Sequence, residues 1–317
     1  MANANQLKAL IRSHYKNESE RFTTFVLQIA AHEAKIGHTA LANDLRKIVD
    51  KHKLNKPKLK PINQDFLGLV LEKNPFEKLA NLIVSDDLSE KIRRIIAEYI
   101  QRDKLHRFDL TNRRKVLLSG PPGTGKTMTA SVVANELSLP LYIILMDKMV
   151  TKYMGETSAK LRQVFDLIEN RQGVYLFDEF DAIGTHRTRD NDVGEMRRVL
   201  NSFLQFIEFD QSESIIIAAT NNIELLDYAL FRRFDDVIQY KLPSEHEKLI
   251  LIKERLANYI GKNDLNQLIS KFDNLSHSEI TKICEDAIKD TILNDRKHIN
   301  LNKLDKIIQD RKLIYQN

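Results

Sequence analysis

Residues Gly120-Pro121-Pro122-Gly123-Thr124-Gly125-Lys126-Thr127 read GPPGTGKT and match the pattern G-x-x-x-x-G-K-[ST] at every fixed position. A short apolar run, VLLS (116–119), precedes the stretch and predicts a strand, and MTASVVANEL (128–137) follows it with a helical pattern. Glycines let a loop curl so that its N–H groups face an anion, and the N-terminus of the next helix adds positive partial charge. The stretch therefore predicts a phosphate-binding loop between a strand and a helix.

The loop residues are the first candidate ligands of a nucleotide. Lys126 is expected to reach the β- and γ-phosphates, and the Thr127 hydroxyl is expected to ligate magnesium. The predicted nucleotide-binding set is Gly120, Pro121, Pro122, Gly123, Thr124, Gly125, Lys126, Thr127 and Met128, together with Asp178.

An acidic pair follows about fifty residues later, where residues 174–179 read VYLFDE. Four apolar residues predict a buried strand that holds Asp178 at its carboxyl end, where open α/β sheets bind ligands. Asp178 is expected to hold the magnesium, usually through water, and Glu179 is expected to act as the base that polarises the attacking water. Any buried strand that ends in acidic residues would match this motif. The prediction therefore depends on the presence of the phosphate loop in the same chain.

The remaining pattern predicts an α/β fold with a helical lid. Five short apolar runs, separated by helical patterns, predict a five-stranded parallel sheet with helices on both faces. The runs are 116–119, 141–146, 174–178, 215–220 and 237–241. After Pro243 the patterns are helical only, at 249–259, 265–272, 279–293 and 301–313.

The N-terminal part differs in composition from the rest. Apolar stripes predict three helices that form a bundle in residues 1–52. Residues 53–75 are assigned to a linker because Pro57 and Pro61 oppose helix there. The α/β part with the phosphate loop is then 76–243, and the helical lid is 244–317. Residues 1–60 carry 12 Lys and Arg against 5 Asp and Glu, a net charge of +7 in a chain whose total is +5.

Composition excludes several classes of protein. Of 317 residues 42% are apolar, yet no run of 18 lacks a charge, so no membrane span is predicted. The N-terminus lacks the apolar core of a secretory signal, and the single cysteine, Cys284, excludes an internal disulfide and a zinc site built on several thiolates. A cytoplasmic location is the expectation.

Three stretches in this order, GPPGTGKT, LFDEFDAIG (176–184) and AATN (218–221), resemble the AAA family of ATPases. The resemblance covers the chain from about Phe76 to its end. It implies ATP and Mg²⁺ as cofactors, Walker-A and Walker-B motifs, a helical lid and, in most members, a homo-oligomeric hexameric ring. It also makes Asn221 the polar sensor that helps to position the lytic water; a strand-capping asparagine is the alternative.

The segment ALFRRFDD (229–236) resembles the family segment that carries arginine fingers. Arg232 and Arg233 would then reach the nucleotide of a neighbouring subunit, a role that suits a permanently charged guanidinium. The segment lacks the Pro-Gly and the later arginine of the commoner form, and is similar to the Arg-Arg-Phe form of microtubule-severing and membrane-remodelling members. Which arginine contributes more stays open, and an ion pair with Asp235 or Asp236 is the alternative.

KYMGE (152–156) resembles the aromatic–hydrophobic–glycine pore loop of protein-unfolding members. Tyr153 and Met154 would grip an extended chain without demanding one sequence, and Gly155 would let the loop bend. A tyrosine that covers a core edge is the alternative. The polar loop 184–195 is expected to line the pore as well, and Arg197 and Arg198 would sense a neighbour's nucleotide.

The lid departs from the family's Ser-Gly-Ala-Asp with Ser276-His277-Ser278-Glu279. A capping box between Ser276 and Glu279 explains these residues, while His277 would approach the adenine edge or the ribose as an alternative.

These residues are compatible with three alternative functions. The first is a protein unfoldase or remodelling motor, and the second is a nucleic-acid-linked ATPase such as a loader or transposition regulator. The third is an adaptor that binds ATP structurally, which the presence of Glu179, Asn221 and the arginine pair disfavours. The pattern also resembles small bacterial or phage AAA proteins with a helical N-terminal domain. Some of these are encoded beside a subtilisin-like serine protease, which would make the chain the motor half of a split protease.

Overall fold

The computed structural model describes residues 19–54, 68–149, 154–183, 190–225, 231–256, 258–260 and 268–314. The chain divides into two compact units, Met1–Lys60 and Pro61–Asn317. In the first unit, helices α1 (Ser19–Lys35) and α2 (Thr39–Leu54) pack on each other. Gly37 turns the chain between them with φ 95°, a left-handed conformation that glycine adopts without strain. The first predicted apolar stripe, in residues 7–11, lies outside the described residues.

The second unit is built on a six-stranded sheet. Its strands are β1 (Val70–Lys73), β2 (Lys115–Ser119), β3 (Leu141–Ile144), β4 (Val174–Phe177), β5 (Ile215–Thr220) and β6 (Asp236–Gln239). The order across the sheet is β1-β3-β4-β5-β2-β6, in which β1 is antiparallel to β3 and all the other pairs are parallel. The predicted five-stranded parallel sheet is confirmed, and β1 adds a sixth strand at its edge.

Strand β1 lies inside the range 53–75 that the sequence assigns to a linker. Its sequence, Val-Leu-Glu-Lys, is neither a continuous apolar run nor an alternating pattern, and three of its four residues are exposed. Pairing with β3 holds the strand in place. Val70 lies opposite Ile144, and Lys73 lies opposite Leu141. A periodic pattern in the sequence does not reveal pairing between two strands that lie far apart in the chain.

Helices cover both faces of the sheet and create two apolar cores. They are α3 (Asp86–Ile100), α4 (Arg102–His106), α5 (Lys126–Glu136), α6 (Met146–Met149), α7 (Met154–Asn170) and α8 (Asp190–Phe209). One core joins α7 and α8 to the sheet, with Phe165, Phe177 and Phe203 at its centre. The other joins α3 and α5 to the opposite face and includes Ile92 and Val132. Burial on both faces explains why strands β2 to β5 read as continuous apolar runs.

The C-terminal helices pack around a core of their own. They are α9 (Glu245–Leu256), α10 (His277–Leu293) and α11 (Leu301–Ile314), with a 3-10 turn at Ile269–Phe272. Ile252, Phe272 and Ile283 are fully buried among them. Cys284 belongs to this core, where burial raises the pKa of its thiol to about 12. It is therefore a packing residue.

Candidate functional site

The phosphate loop joins β2 to α5 and needs glycine at three positions. Gly120, Gly123 and Gly125 have φ values of 139°, 72° and 105°. A Cβ on Gly120 would lie 2.4 Å from the Tyr240 carbonyl oxygen, and one on Gly123 would lie 2.6 Å from Ser276 Oγ. Glycine thus permits both the loop conformation and the close approach of β6 and the lid.

Lys126 is the first residue of α5, and its side chain is buried against the loop. Its ammonium donates to the carbonyl oxygens of Gly120 at 2.7 Å and Pro121 at 2.8 Å. Burial lowers the pKa of Lys126, while the nearby carboxylates of Asp178 and Asp181 oppose that shift. The lysine therefore places a positive charge inside the loop, where phosphate would carry negative charge.

Thr127 and Asp178 meet although 51 residues separate them along the chain. The Thr127 hydroxyl donates to Asp178 Oδ2 over 2.7 Å. Hydroxyl and carboxylate oxygens are ligands that Mg²⁺ prefers, and the ion usually keeps waters and substrate phosphates as its other ligands. Two such oxygens beside the phosphate loop fit the predicted magnesium site.

Glu179 directly follows Asp178 at the end of β4, with an exposed side chain and a backbone φ of 52°. Its N–H donates to Asp178 Oδ1 at 3.0 Å, which helps to hold the turn. A left-handed conformation is strained for a residue with a side chain, and such strain is concentrated at functional sites. Glu179 lines the same cavity as the residues of the phosphate loop.

A third acid of the same turn was given no role by the sequence. Asp181 Oδ1 accepts the Thr220 hydroxyl at 3.2 Å and the Asn221 backbone N–H at 3.3 Å. It thereby joins the turn after β4 to the end of β5. The sequence offered only its position in LFDEFDAIG as a signal.

A cavity of about 970 Å³ brings the predicted residues together. Its lining includes Asp178, Glu179 and Asn221. From the loop it includes Pro122, Gly123, Thr124, Gly125, Lys126, Thr127 and Met128. Gly120 and Pro121 are not among its described lining residues, and their carbonyl oxygens accept from Lys126. The volume suits a nucleotide-sized ligand.

Another part of the cavity lining comes from residues 76–83, a segment to which the sequence assigns no role. Ser131 of α5 donates its hydroxyl to the carboxylate of Glu77, and Glu136 of the same helix accepts the Leu79 N–H at 3.0 Å. The segment contains only one turn of 3-10 helix, Leu79–Asn81, so it shows no periodic pattern that could have flagged it.

The lid closes the cavity with the N-terminus of α10. Ser276 Oγ accepts the Glu279 N–H at 3.4 Å, and Glu279 Oε2 accepts the Ser276 N–H at 2.6 Å, so the predicted capping box is confirmed. The Ser278 N–H donates to the Gly123 carbonyl at 3.0 Å and ties the lid to the phosphate loop.

His277 is the first residue of α10 and lines the cavity. Neither ring nitrogen has a hydrogen-bond partner among the described residues. Burial lowers the pKa of His277, with a smaller opposing effect from Glu247. The surroundings of His277 therefore disfavour the charged form of its imidazole.

The two predicted finger arginines lie away from this cavity, whose described lining includes neither. Arg232 is exposed, and Arg233 Nε lies 3.4 Å from Glu208 Oε2. The carboxylate of Asp235 accepts the N–H groups of Arg114 and Lys115, each at 2.9 Å, and so anchors the segment to the start of β2. Within the described residues, the cavity of this chain is thus formed without Arg232 and Arg233.

The structure describes only some of the predicted pore residues. Tyr153 lies outside the described residues, and Met154 and Gly155 open helix α7. Residues 184–189 also lie outside, while Arg197 and Arg198 belong to α8. No helix in the described part of the chain is long and apolar enough to cross a membrane.

The chain is similar in sequence to known proteins of one family. The family described as "ATPase family associated with various cellular activities (AAA)" matches residues 116–242. An uncharacterized AAA family ATPase of Sinorhizobium fredii is 31% identical in an alignment that covers 98% of this chain and 96% of that protein. A proteasome-activating nucleotidase of Methanoculleus marisnigri is 31% identical over 257 residues, 77% of this chain and 62% of its own. A 26S proteasome regulatory subunit 6B homolog of Dictyostelium discoideum is 33% identical over 236 residues, 71% of this chain and 58% of its own.

Proposed function

The chain belongs to the AAA family of ATPases, and on that premise we propose that it uses ATP hydrolysis to remodel or unfold protein substrates. The observation that carries the ATPase chemistry is the meeting of Lys126, the Thr127–Asp178 pair, Glu179 and Asn221 around one cavity. A protein that bound ATP only as a scaffold would not need Glu179 or Asn221 there.

Each residue has a distinct task in the proposed reaction. Lys126 balances the charge of the β- and γ-phosphates, and Thr127 and Asp178 would hold the magnesium ion. When bound, magnesium neutralises charge that develops on the phosphate oxygens. Glu179 accepts a proton from the attacking water, and the Asn221 amide orients that water.

We propose that the working form is a homo-oligomeric ring, with six subunits as the expectation. Arg232 and Arg233 would complete the site of a neighbouring subunit, which agrees with their place outside their own chain's cavity. An arginine supplied from a second subunit stabilises charge in the transition state of phosphoryl transfer.

The case for a protein substrate rests on two supports. Relatives include a proteasome-activating nucleotidase and a homolog of a 26S proteasome regulatory subunit. In addition, Tyr153, Met154 and Gly155 form the aromatic–hydrophobic–glycine sequence of a pore loop. Threading through a ring pore, in the service of a separate serine protease, is the finer form of this proposal.

The N-terminal unit is proposed as a docking module for a partner protein. Its excess of positive charge is the one feature that favours the alternative, a nucleic-acid-linked ATPase. Tight DNA binding by the full chain that weakens steeply as salt rises would favour this alternative.

The motor proposal is tested at Tyr153. Tyr153→Ala should leave basal ATP hydrolysis largely unchanged, because the residue lies outside the phosphate motifs, and should abolish ATP-dependent unfolding of a tagged fluorescent protein. Tyr153→Phe is the matched control and should unfold substrate nearly as wild type does, since ring area provides the grip. Unfolding by Tyr153→Ala at the wild-type rate would contradict the threading mechanism.

A further inference from the structure

One carboxylate beside the nucleotide site has no task in the reaction described above. Asp181 lies in the 3-10 turn Phe180–Ile183, two residues after Glu179. A single oxygen, Oδ1, accepts both the Thr220 hydroxyl and the Asn221 N–H, at 3.2 Å and 3.3 Å. One atom therefore connects the turn that carries the proposed base to the residue proposed as the sensor.

The Thr220 hydroxyl is fixed from two sides. It accepts the N–H of Asn222 at 3.1 Å while it donates to Asp181. A hydroxyl has one proton to give, so its donation to Asp181 sets its rotamer and leaves its lone pairs for Asn222. Thr220 itself is fully buried, whereas Asn221 is exposed at the cavity. The backbone on both sides of Asn221 is thus held through this cluster.

We propose that Asp181 is a positioning residue of the ATPase, which keeps Asn221 in register with Glu179 so that both side chains act on the same water. The inference rests on the role proposed for Asn221. β4 and β5 are neighbouring parallel strands, and their ends carry Glu179 and Asn221. A displacement of about 1 Å at a reacting centre can cost about 100-fold in rate. A link between the two strand ends is therefore worth more to the chemical step than to nucleotide binding.

A purely electrostatic role for Asp181 would give a different result. Its negative charge also acts on buried Lys126, after the larger effect of Asp178 among the carboxylates. Asp181→Asn removes that charge but retains an oxygen that can accept the same two hydrogen bonds. Asp181→Ala removes both. A comparison of the two variants therefore distinguishes the effect of the hydrogen bonds of Asp181 from the effect of its charge.

The experiment measures kcat and ATP affinity for Asp181→Ala, Asp181→Asn, Asn221→Ala and the double variant Asp181→Ala/Asn221→Ala. Asp181→Ala and Asn221→Ala should each lower kcat by about tenfold or more, with ATP affinity within about threefold of wild type. Asp181→Asn should stay within about threefold of the wild-type kcat. The double variant should be no slower than Asn221→Ala, because Asp181 acts through Asn221.

Three results would overturn the inference: a normal kcat for Asp181→Ala, a double variant in which the two losses multiply, or an Asp181→Asn as slow as Asp181→Ala. A normal kcat for Asn221→Ala would refute the sensor role itself and the inference with it. A slow Asn221→Ala beside a normal Asp181→Ala would refute only the inference. If Asp181→Ala does not fold, Thr220→Val, which removes one donor at similar volume, takes its place and should likewise have no added effect when Asn221 is alanine.

Discussion

At the scale of single residues, Glu179 combines a strained backbone with an exposed carboxylate. Its φ of 52° persists because the turn is held by the bond from its own N–H to Asp178 and by Asp181. Glutamine tolerates this backbone as glutamate does, whereas glycine would relax it. The isosteric change therefore tests the carboxylate without changing the turn.

We predict that Glu179→Gln binds ATP as wild type does and loses hydrolysis by about 100-fold or more, because the phosphate loop is intact and the base is gone. Phosphate release and the binding of a fluorescent ATP analogue measure the two effects. Glu169→Gln, an exposed change on α7, is the control and should be silent. Hydrolysis by Glu179→Gln at the wild-type rate would remove Glu179 from the mechanism.

The sequence could predict residues of the site where a fixed spacing carries the chemistry. Lys126 and Thr127 stand at set places in the loop pattern, and Asp178 ends an apolar strand. Asp181 was quoted but received no role, because a carboxylate that accepts a backbone N–H from another strand needs no particular spacing. The structure places these residues together, and their catalytic roles stay predictions.

At the scale of elements, the lid helix α10 is coupled to the phosphate loop at its first turn. The capping box holds Ser276 and Glu279, Ser276 Oγ faces Gly123, and the Ser278 N–H binds the Gly123 carbonyl. Free N–H groups at a helix start are costly when buried, so the cap also sets where the lid begins. A change in the cap should be felt first in the stability of the lid.

We predict that Ser276→Ala lowers the free energy of unfolding by about 1 kcal/mol, the usual loss for an N-cap. Urea denaturation followed by far-UV circular dichroism measures it. Ser278→Ala is the matched control two residues later, where the backbone and not the hydroxyl makes the described contact, and it should change stability by less than about 0.5 kcal/mol. Equal stability of Ser276→Ala and wild type would show that water replaces the cap.

The sequence predicts those helices and strands whose burial produces an apolar pattern. Strands β2 to β5 are largely buried and read as apolar runs, and a capping box in the sequence marks the start of α10. Strand β1 and the segment 76–83 gave no such signal, since partners distant in the chain hold them: β3 for the strand, and Glu136 and Ser131 for the segment.

At the scale of the whole molecule, one chain contains two different parts of a proposed catalytic unit. The cavity with Lys126 and Glu179 is one part, and the segment with exposed Arg232 and partly buried Arg233 is the other. A head-to-tail ring would bring the second part of each subunit to the first part of its neighbour. Sequence motifs predict both parts, but only an assembly can show which subunit supplies which.

The last prediction tests this division by mixing inactive subunits. Arg232→Ala and Arg233→Ala should each bind ATP and fail to hydrolyse it, because an arginine finger contributes on the order of 1,000-fold to turnover in related chemistry. Mixed with an equal amount of Glu179→Gln, either variant should regain hydrolysis. Roughly a quarter of the interfaces in randomly mixed rings would then join an intact base to an intact finger. Phosphate release is the measurement, and co-assembly is checked by light scattering.

A control mixture distinguishes complementation between subunits from a general effect of mixing. Glu179→Gln and Lys126→Ala damage the same part of the site, so rings that contain only these two variants have no intact cavity and should stay inactive. Activity in that control would mean that the cavity itself is shared between subunits. If instead both mixtures stay inactive although the subunits co-assemble, Arg232 and Arg233 do not act across the interface. The ion pair of Arg233 with Glu208 would then be the better account of that arginine.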